Sequence, residues 1–464
     1  VSGDAADRPD PALWRTCAVV LLGPLMAQLD STVVNVSLSN IQQSLGASIG
    51  TVQWVIGGYL LALALVLPLN AWLVDRLGAK RLYLWCFSAF TLASFGCGAA
   101  TTIHQLIAAR VLQGAAGGLL APMAQMMIAR VAGRHMARVI GYSAMPVLLA
   151  PILGPSVAGA VLKVAGWPWL FFINLPIGVA AVVLAALLLP RDLPSADRRA
   201  FDFAGFALIS PGLALLLYGL DHAPHATGLA SMAAGGLLLA AFVRHARHKE
   251  AAALLDLRLF GIRTFARATA TQLLSNASIY AGQLLVPLFL IAGCGLTPVA
   301  AGLVLAPMGL GMLCVYPSMG FLTERFGCRA VASAGAALTL LATLPMLWMS
   351  QAGFSTPLMV ACLLARGAGQ GAIGVPSISA GYASVPRDKL ALATTAANIV
   401  QRLGGPIGTT VLAIVIAASQ ARLPAGGAAV FTPAFAALAL LQLLVLASTM
   451  RLPLRVHPAA AAAA

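Results

Sequence analysis

Runs of about twenty apolar residues follow one another along nearly the whole chain. Each can cross a bilayer as a helix, which satisfies every backbone donor and acceptor within its own segment. Fourteen such runs are read, at 14–38, 51–73, 82–101, 104–129, 137–162, 168–189, 202–221, 226–243, 267–292, 297–321, 330–350, 355–384, 390–418 and 432–450. Composition agrees. The chain is 60% hydrophobic and only 9% charged, against about 25% charged residues in soluble domains. Its mean hydropathy is +0.92. The expected fold class is an all-α membrane protein.

The net charge of +15 could point to nucleic acid, but its placement excludes that partner. Charges gather in short clusters between the apolar runs, as in DRLGAKR (75–81), ARVAGRHMAR (129–138), RHARHKE (244–250) and TERFGCR (323–329). Such clusters hold loops at an anionic membrane face. With a cytoplasmic N-terminus, 23 of the 28 basic residues fall on that side, Lys163 and Arg422 fall outside, and Arg110, Arg366 and Arg402 lie within spans. That bias implies an even number of helices with both termini cytoplasmic. The polar N-terminus VSGDAADRPDPA offers no cleavage site after a short apolar stretch, so the first run is read as a permanent span.

Three echoes mark an internal repeat. LVDRLGAKR (73–81) returns as LTERFGCR (322–329), QGAAGG (113–118) as QGAIGV (370–375), and LGPSVAG (153–159) as GGPIGTT (404–410). Their order is kept and their offsets are 249, 257 and 251 residues. Internal symmetry of this kind is characteristic of transporters. It divides the chain into a six-helix bundle (1–190), an inserted helix pair with polar linkers (191–266) and a second six-helix bundle (267–464).

One acid stands out. Of thirteen acidic residues, Asp30 alone lies well inside a span, roughly 22 Å of helix rise beyond Arg15. An ionised Asp at a helix centre costs ~2.5–3.5 kcal/mol on the insertion scale, and such a residue usually faces a cavity or a partner. Arg110, about 9 Å into the fourth span from the other side, lies at comparable depth, with Gln113 one turn on. An arginine that moves toward or away from an acid alters its proton affinity, as proton-coupled transport requires. A fixed ion pair or a hydrogen-bonded neutral acid at Asp30, and a purely structural helix tie at Arg110, are the alternatives.

Other features are mechanical or form softer candidate sites. In the turn 71–81, Asp75 is expected to cap or pair near a helix N-terminus. Gly78 permits a tight turn, and Arg76, Lys80 and Arg81 hold the interface, with Glu324 and Arg325 as second-half counterparts. Such a turn could latch one conformation or simply set topology. Gly154, Pro155 and Gly159 read as a packing and hinge element of the fifth span, or as a passive kink. Gln53, Trp54, Tyr59, Gln272, Asn276, Tyr280, Gln283, Asn398 and Gln401 are candidate pocket residues for amphipathic, aromatic or cationic ligands, and helix-to-helix hydrogen bonding is the plainer alternative for each.

The chain offers no ATP or zinc motif. GQGAIG (369–374) fits a dinucleotide fingerprint only on paper, since it lies in an apolar run with no preceding strand. The seven cysteines match no ligand spacing, and Cys97 and Cys294 are expected near the outer surface. No cofactor is expected beyond the coupling proton. A membrane enzyme or sensor would need a catalytic cluster or a soluble domain, and neither is evident.

LDSTVVNVSL (29–38), QWVIGGYLLALALVLPL (53–69), WLVDRLGAKR (72–81), RVLQGAAGG (110–118), LGPSVAG (153–159), GWPWLFFINLPIG (166–178) and DFAGFAL (202–208) together resemble the major facilitator superfamily. More closely, they resemble its fourteen-helix drug:proton antiporters of the EmrB/QacA type. The resemblance implies two six-helix bundles plus two inserted helices, with Asp30 and Arg110 in proton coupling, 153–159 as the antiporter motif, and alternating access that exports small molecules from a bacterial inner membrane. The loop motif's leading glycine is Ala71 here, although Gly320 keeps it in the second half. Some members carry further acids in the second half, and none is visible here. With one membrane acid, low proton stoichiometry and neutral or monocationic amphipathic substrates are expected, rather than dications. Expected partners are the substrate and membrane lipid around a monomer. Export of one dedicated metabolite, or service as the inner-membrane subunit of a tripartite pump with a periplasmic adaptor, are the alternatives.

Overall fold

The computed structural model describes residues 11–132, 135–190, 192, 200–223, 225–422 and 427–454. The polar N-terminal tail, most of the linker at 190–201 and the end of the chain lie outside them. Helices account for almost all of the rest. In chain order they are α1 (Pro11–Ser44), α2 (Ile49–Leu77), α3 (Ala79–Gly98), α4 (Ile103–Ala132), α5 (Met136–Val164), α6 (Pro168–Leu188), α7 (Phe203–Asp221), α8 (Ala226–Lys249), α9 (Arg263–Gly293), α10 (Val299–Phe326), α11 (Cys328–Ala352), α12 (Thr356–Ala383), α13 (Arg387–Arg422) and α14 (Ala428–Thr449). Among the described residues twelve helices are long and apolar enough to cross a membrane. The other two long helices, α3 and α5, fall outside that set. The expectation of fourteen spans is therefore met for twelve.

The sequence repeat is a structural repeat. α2 tightens into a 3-10 turn at Leu67–Leu69, and α10 does so at Tyr316–Ser318. Each turn carries a proline near its start, Pro68 and Pro317, where a missing N–H costs least. Each helix then ends on a glycine with φ +86°, Gly78 and Gly327. That backbone region is open to glycine and strained for other residues. The chain reverses there and enters α3 or α11.

α1 to α6 pack chiefly on one another, as do α9 to α14, while α7 and α8 form a hairpin of their own. The hairpin touches both groups. Tyr218 of α7 stacks on Trp54 of α2 with ring centroids 6.5 Å apart, and Thr410 of α13 donates to the Leu220 carbonyl at 2.8 Å.

The turns after α2, α8 and α10 carry Arg76, Lys80, Arg81, Arg244, Arg325 and Arg329, which makes this the basic end of the bundle. Side-chain bonds between the first and last six helices gather at that end. Asn70 donates to Thr395 at 3.0 Å, Tyr382 and Asn398 donate to Gln125 at 2.8 and 2.7 Å, and Arg138 pairs with Glu324 at 3.3 Å. A continuous apolar cluster including Met126, Leu254, Phe265, Val385 and Leu392 seals the same region.

Candidate functional site: a buried carboxylate network

Small residues bring the charged helices together. Gly114 of α4 lies so close to the Tyr59 carbonyl of α2 that a β-carbon there would collide with it, and Gly118 lies similarly close to the Leu63 carbonyl. Close approach of this kind is what small residues at i and i+4 allow in a membrane helix pair. It places Arg110 against α2. The arginine Nε donates to the Val55 carbonyl at 3.0 Å, and its guanidinium lies 4.1 Å from the centre of the Tyr59 ring.

Arg110 Nη1 donates to Asp30 Oδ2 at 2.5 Å. Gln113 Nε2 and Asn174 Nδ2 donate to Asp30 Oδ1 at 2.9 and 2.8 Å. Each of these bonds runs from an N–H onto a carboxylate oxygen, the acceptor-only pattern of an ionised acid. A second tier ties the donors to one another. Arg110 Nη1 donates to Gln113 Oε1 at 2.7 Å, and Ser94 Oγ accepts from Gln113 and Asn174 at 3.2 and 3.0 Å. Ser94 Oγ donates to the Phe171 carbonyl at 3.1 Å. Asp30, Arg110, Gln113, Asn174 and Ser94 are all buried, with Asp30 only 2% exposed. Helices α1, α3, α4 and α6 thus each contribute a polar side chain to one closed network.

The structure unites Asp30, Arg110 and Gln113, as the sequence predicts for them, and adds Ser94 and Asn174. These two carry no charge, so only their polarity inside apolar runs could have signalled them. Cys97 is not at the surface as expected. It is buried beside the network, 3.5 Å from Gln113 Oε1.

The candidate pocket residues scatter. Tyr59 lies beneath Arg110. Gln53 is exposed, Trp54 stacks on Tyr218, and Asn276 bonds the Gln272 carbonyl of its own helix at 2.9 Å. Gln272 itself donates to Ser377 at 2.6 Å. Tyr280 and Gln283 are exposed and Gln401 is half-buried, whereas Asn398 belongs to the closed basic end.

At the turn after α2, the N-terminus of α3 is capped by Asp192. Its carboxylate accepts from the backbone N–H groups of Lys80 and Arg81 at 2.8 and 3.1 Å and lies against Gly78. Lys80 Nζ caps the end of α6 through the Ala186 and Leu189 carbonyls at 2.7 and 2.8 Å. Asp75, expected to cap or pair here, lies within electrostatic reach of Arg130. Arg76 sits over Trp72, and Arg325 over Phe321 and Phe326. Ala71 is buried, and its neighbour Asn70 makes the bond to Thr395. Gly320 meets the backbone and side chain of Arg138 on α5. On α5, Gly154 abuts Thr32 of α1, Gly159 faces open space, and the helix runs unbroken through Pro155.

A different carboxylate organises the inserted pair. Asp202 caps α7 at the Gly205 N–H (3.1 Å) and accepts from His245 and Lys249 of α8 at 2.9 and 2.8 Å, and from the Leu254 N–H at 3.2 Å. Burial pushes its pKa up, but the bonds from Lys249, His245, Gly205 and Leu254 outweigh that and hold it at about 2.

Helices of this number and length around a buried Asp–Arg pair, with a repeated glycine turn at corresponding ends, match a known architecture. The Major Facilitator Superfamily profile covers residues 20–409. The chain belongs to the Major Facilitator Superfamily. Within it, the chain is 35% identical over 419 residues to the "Multidrug resistance protein B homolog" of Mycobacterium tuberculosis, covering 88% of this chain and 77% of that one. Among solved structures it is similar to a double-Trp mutant of XylE, with a TM-score of 0.68 at 12% identity over 96% of this chain and 97% of that one. It is also similar to a bacterial homologue of the iron transporter ferroportin in an outward-facing state, with a TM-score of 0.61 at 13% identity over 94% and 98% of the two chains. A superfamily member with such relatives is a multi-pass membrane transporter, not an enzyme.

Proposed function

We propose that this transporter is a proton-coupled antiporter of the fourteen-helix EmrB/QacA type that exports amphipathic small molecules of low charge by alternating access. α3 and α5 are taken as the remaining two spans. α3 has 20 residues and opens on Lys80 and Arg81, and α5 has 29 residues with Arg138 and Lys163 near its ends. The lengths suffice, and the cations suit the interfaces. The inserted pair α7–α8 separates two six-helix bundles. The basic end is the cytoplasmic face of a bacterial inner membrane, with both termini there, and the monomer is the working unit.

The observation that carries this reading is the enclosure of Asp30 by donors alone. A proton arriving on Asp30 turns an accepting oxygen into a donor. That breaks a bond in the network and removes the charge that holds Arg110. The loaded and empty states therefore favour different helix arrangements. With the bundle sealed at the basic end, this conformation faces outward, where protons are abundant. Inward proton movement draws on ~2.3 kcal/mol per charge per 100 mV, plus the pH gradient.

The test uses the purified chain in sealed proteoliposomes with an imposed pH gradient and a panel of dyes, antiseptics and antibiotics. Wild type should concentrate its cargo against a gradient. Asp30→Asn should abolish that accumulation while retaining downhill exchange and wild-type unfolding behaviour. Undiminished accumulation by Asp30→Asn would sink the proposal.

A further inference from the structure

Three arginines lie within the spans, and they are provided for very differently. Arg110 has its carboxylate. Arg366, fully buried, donates to Thr343 Oγ1 at 2.9 Å and to the Ser278 carbonyl at 2.8 Å. Arg402 of α13 has neither. No hydrogen bond or ion pair from a described residue reaches it, and its Nε is buried without an acceptor. It is half-buried rather than turned out to solvent.

Its surroundings show where it points. The Tyr59 phenol of α2, in the first bundle, and the Tyr280 phenol of α9, in the second, both lie within its electrostatic reach. Tyr280 packs on Gly405, one turn from Arg402 on the same helix. Arg402 thus stands on a helix that packs on both groups, ~18 Å of helix rise beyond Leu390 at the sealed end. That is mid-membrane depth, comparable with Asp30. An arginine at such depth is costly to bury and ordinarily faces a partner or a water-filled cavity. Asp30 cannot be that partner, because its oxygens are already taken by Arg110, Gln113 and Asn174. Asp75 and Glu324 lie in the last turns of α2 and α10, at the basic end. The membrane interior therefore holds a forked, permanently charged donor whose Nε has no acceptor among the described residues, on a helix that packs on both bundles, with the Tyr280 ring one turn away.

We propose that Arg402 is the anchor for an anionic group on the transported molecule, so that the preferred cargo is an amphipathic monoanion with its carboxylate on Arg402 and its apolar body against Tyr280. The planar guanidinium matches a carboxylate bidentately. The flanking phenols offer further O–H donors and an apolar face. This deepens the export reading above, on which it rests, and it replaces neutral or monocationic cargo with a weakly acidic one.

The experiment is equilibrium binding to the purified full chain in detergent. The ligands are a series of arylalkyl carboxylates of increasing chain length, each paired with its carboxamide. Wild type should bind the best carboxylate at least tenfold more tightly than its amide. Arg402→Gln should erase that preference by weakening the carboxylate while leaving the amide within about twofold, and Arg402→Lys should keep part of it. Equal affinity for acid and amide in wild type, binding of neither, or equal losses for both in Arg402→Gln would each overturn the anchor. Proton-driven uptake of the same pairs in proteoliposomes separates the two proposals. Uptake that persists without acid preference removes only the anchor, whereas acid-selective binding without proton-driven uptake removes only the antiport reading.

Discussion

The two halves of the transporter carry the same polar core built to different completion. In the first, Arg110, Gln113 and Ser94 surround Asp30. In the second, Gln370 and Thr343 stand at the corresponding places of the repeat, with Arg366 one residue out of register, and no acid joins them among the described residues. Arg366 is served by a hydroxyl and a backbone carbonyl. Gln442 of α14, with its amide oriented to satisfy its neighbours, accepts from Arg366 and donates to Thr343 at 2.9 Å. Gln370 is buried with neither amide atom partnered, and Arg366 Nε is likewise bare. One core therefore holds a carboxylate, and among the described residues the other holds none. On the proposed mechanism the repeat thus carries a switch on one side and a fixed strut on the other.

The sharpest way to break this contrast is to remove each arginine in turn. Arg110→Ala strands a buried carboxylate and should cost about 3–5 kcal/mol, read by thermal unfolding in detergent, and should shift the pH profile of transport. Arg366→Ala leaves no orphaned charge. It should cost about 1–3 kcal/mol, the range for stranding hydrogen-bond partners, and leave that profile in place. Matching pH responses from the two variants would remove the distinction between switch and strut.

A smaller effect tests packing. Gly114 and Gly371 correspond in the repeat, yet a β-carbon at Gly114 meets the Tyr59 carbonyl, while at Gly371 the nearest atom is the Met312 carbonyl oxygen at 3.6 Å, an ordinary contact. Gly114→Ala should destabilise by about 1–3 kcal/mol through overpacking and disturb coupling, because Tyr59 and Val55 position Arg110. Gly371→Ala should stay within about 0.5 kcal/mol of wild type. Equal losses would mean that the contact at each glycine does not set the cost of the added methyl.

The smallest effect belongs to Asp202, a carboxylate as closely bonded as Asp30 but placed outside the spans. Its pKa in the folded chain, about 2, lies below the ordinary 3.8. The stability it contributes is therefore fully present above about pH 4 and is lost as pH falls through about 2. Asp202→Ala should lower stability at neutral pH by about 1–2 kcal/mol through loss of the α7 cap, without moving the pH profile of transport. A moved profile would show that the inserted pair takes part in coupling.

Much of this was legible in the chain itself. An apolar run declares a span wherever it lies, because the bilayer acts on each segment separately. Asp30 and Arg110 could be matched by depth because charge is conspicuous in such runs and helix rise is constant. The partners without charge were not legible. Ser94 and Asn174 resemble dozens of tolerated polar residues until four helices bring them to one point. Asn398 and Tyr59, read as pocket residues, also bond Gln125 at the closed basic end and lie under the Arg110 guanidinium, respectively. Asp192 took a capping position that the nearer Asp75 had seemed suited to fill.

The linear order of residues thus determined the spans, the repeat, the basic end and the one acid deep inside a span, since each follows from hydrophobicity and charge counted along a helix. Only the tertiary structure decided which polar groups satisfy one another. That depends on helix rotation and close crossings at glycine, and it separates an arginine held by a carboxylate from Arg402, whose buried Nε meets no acceptor among the described residues.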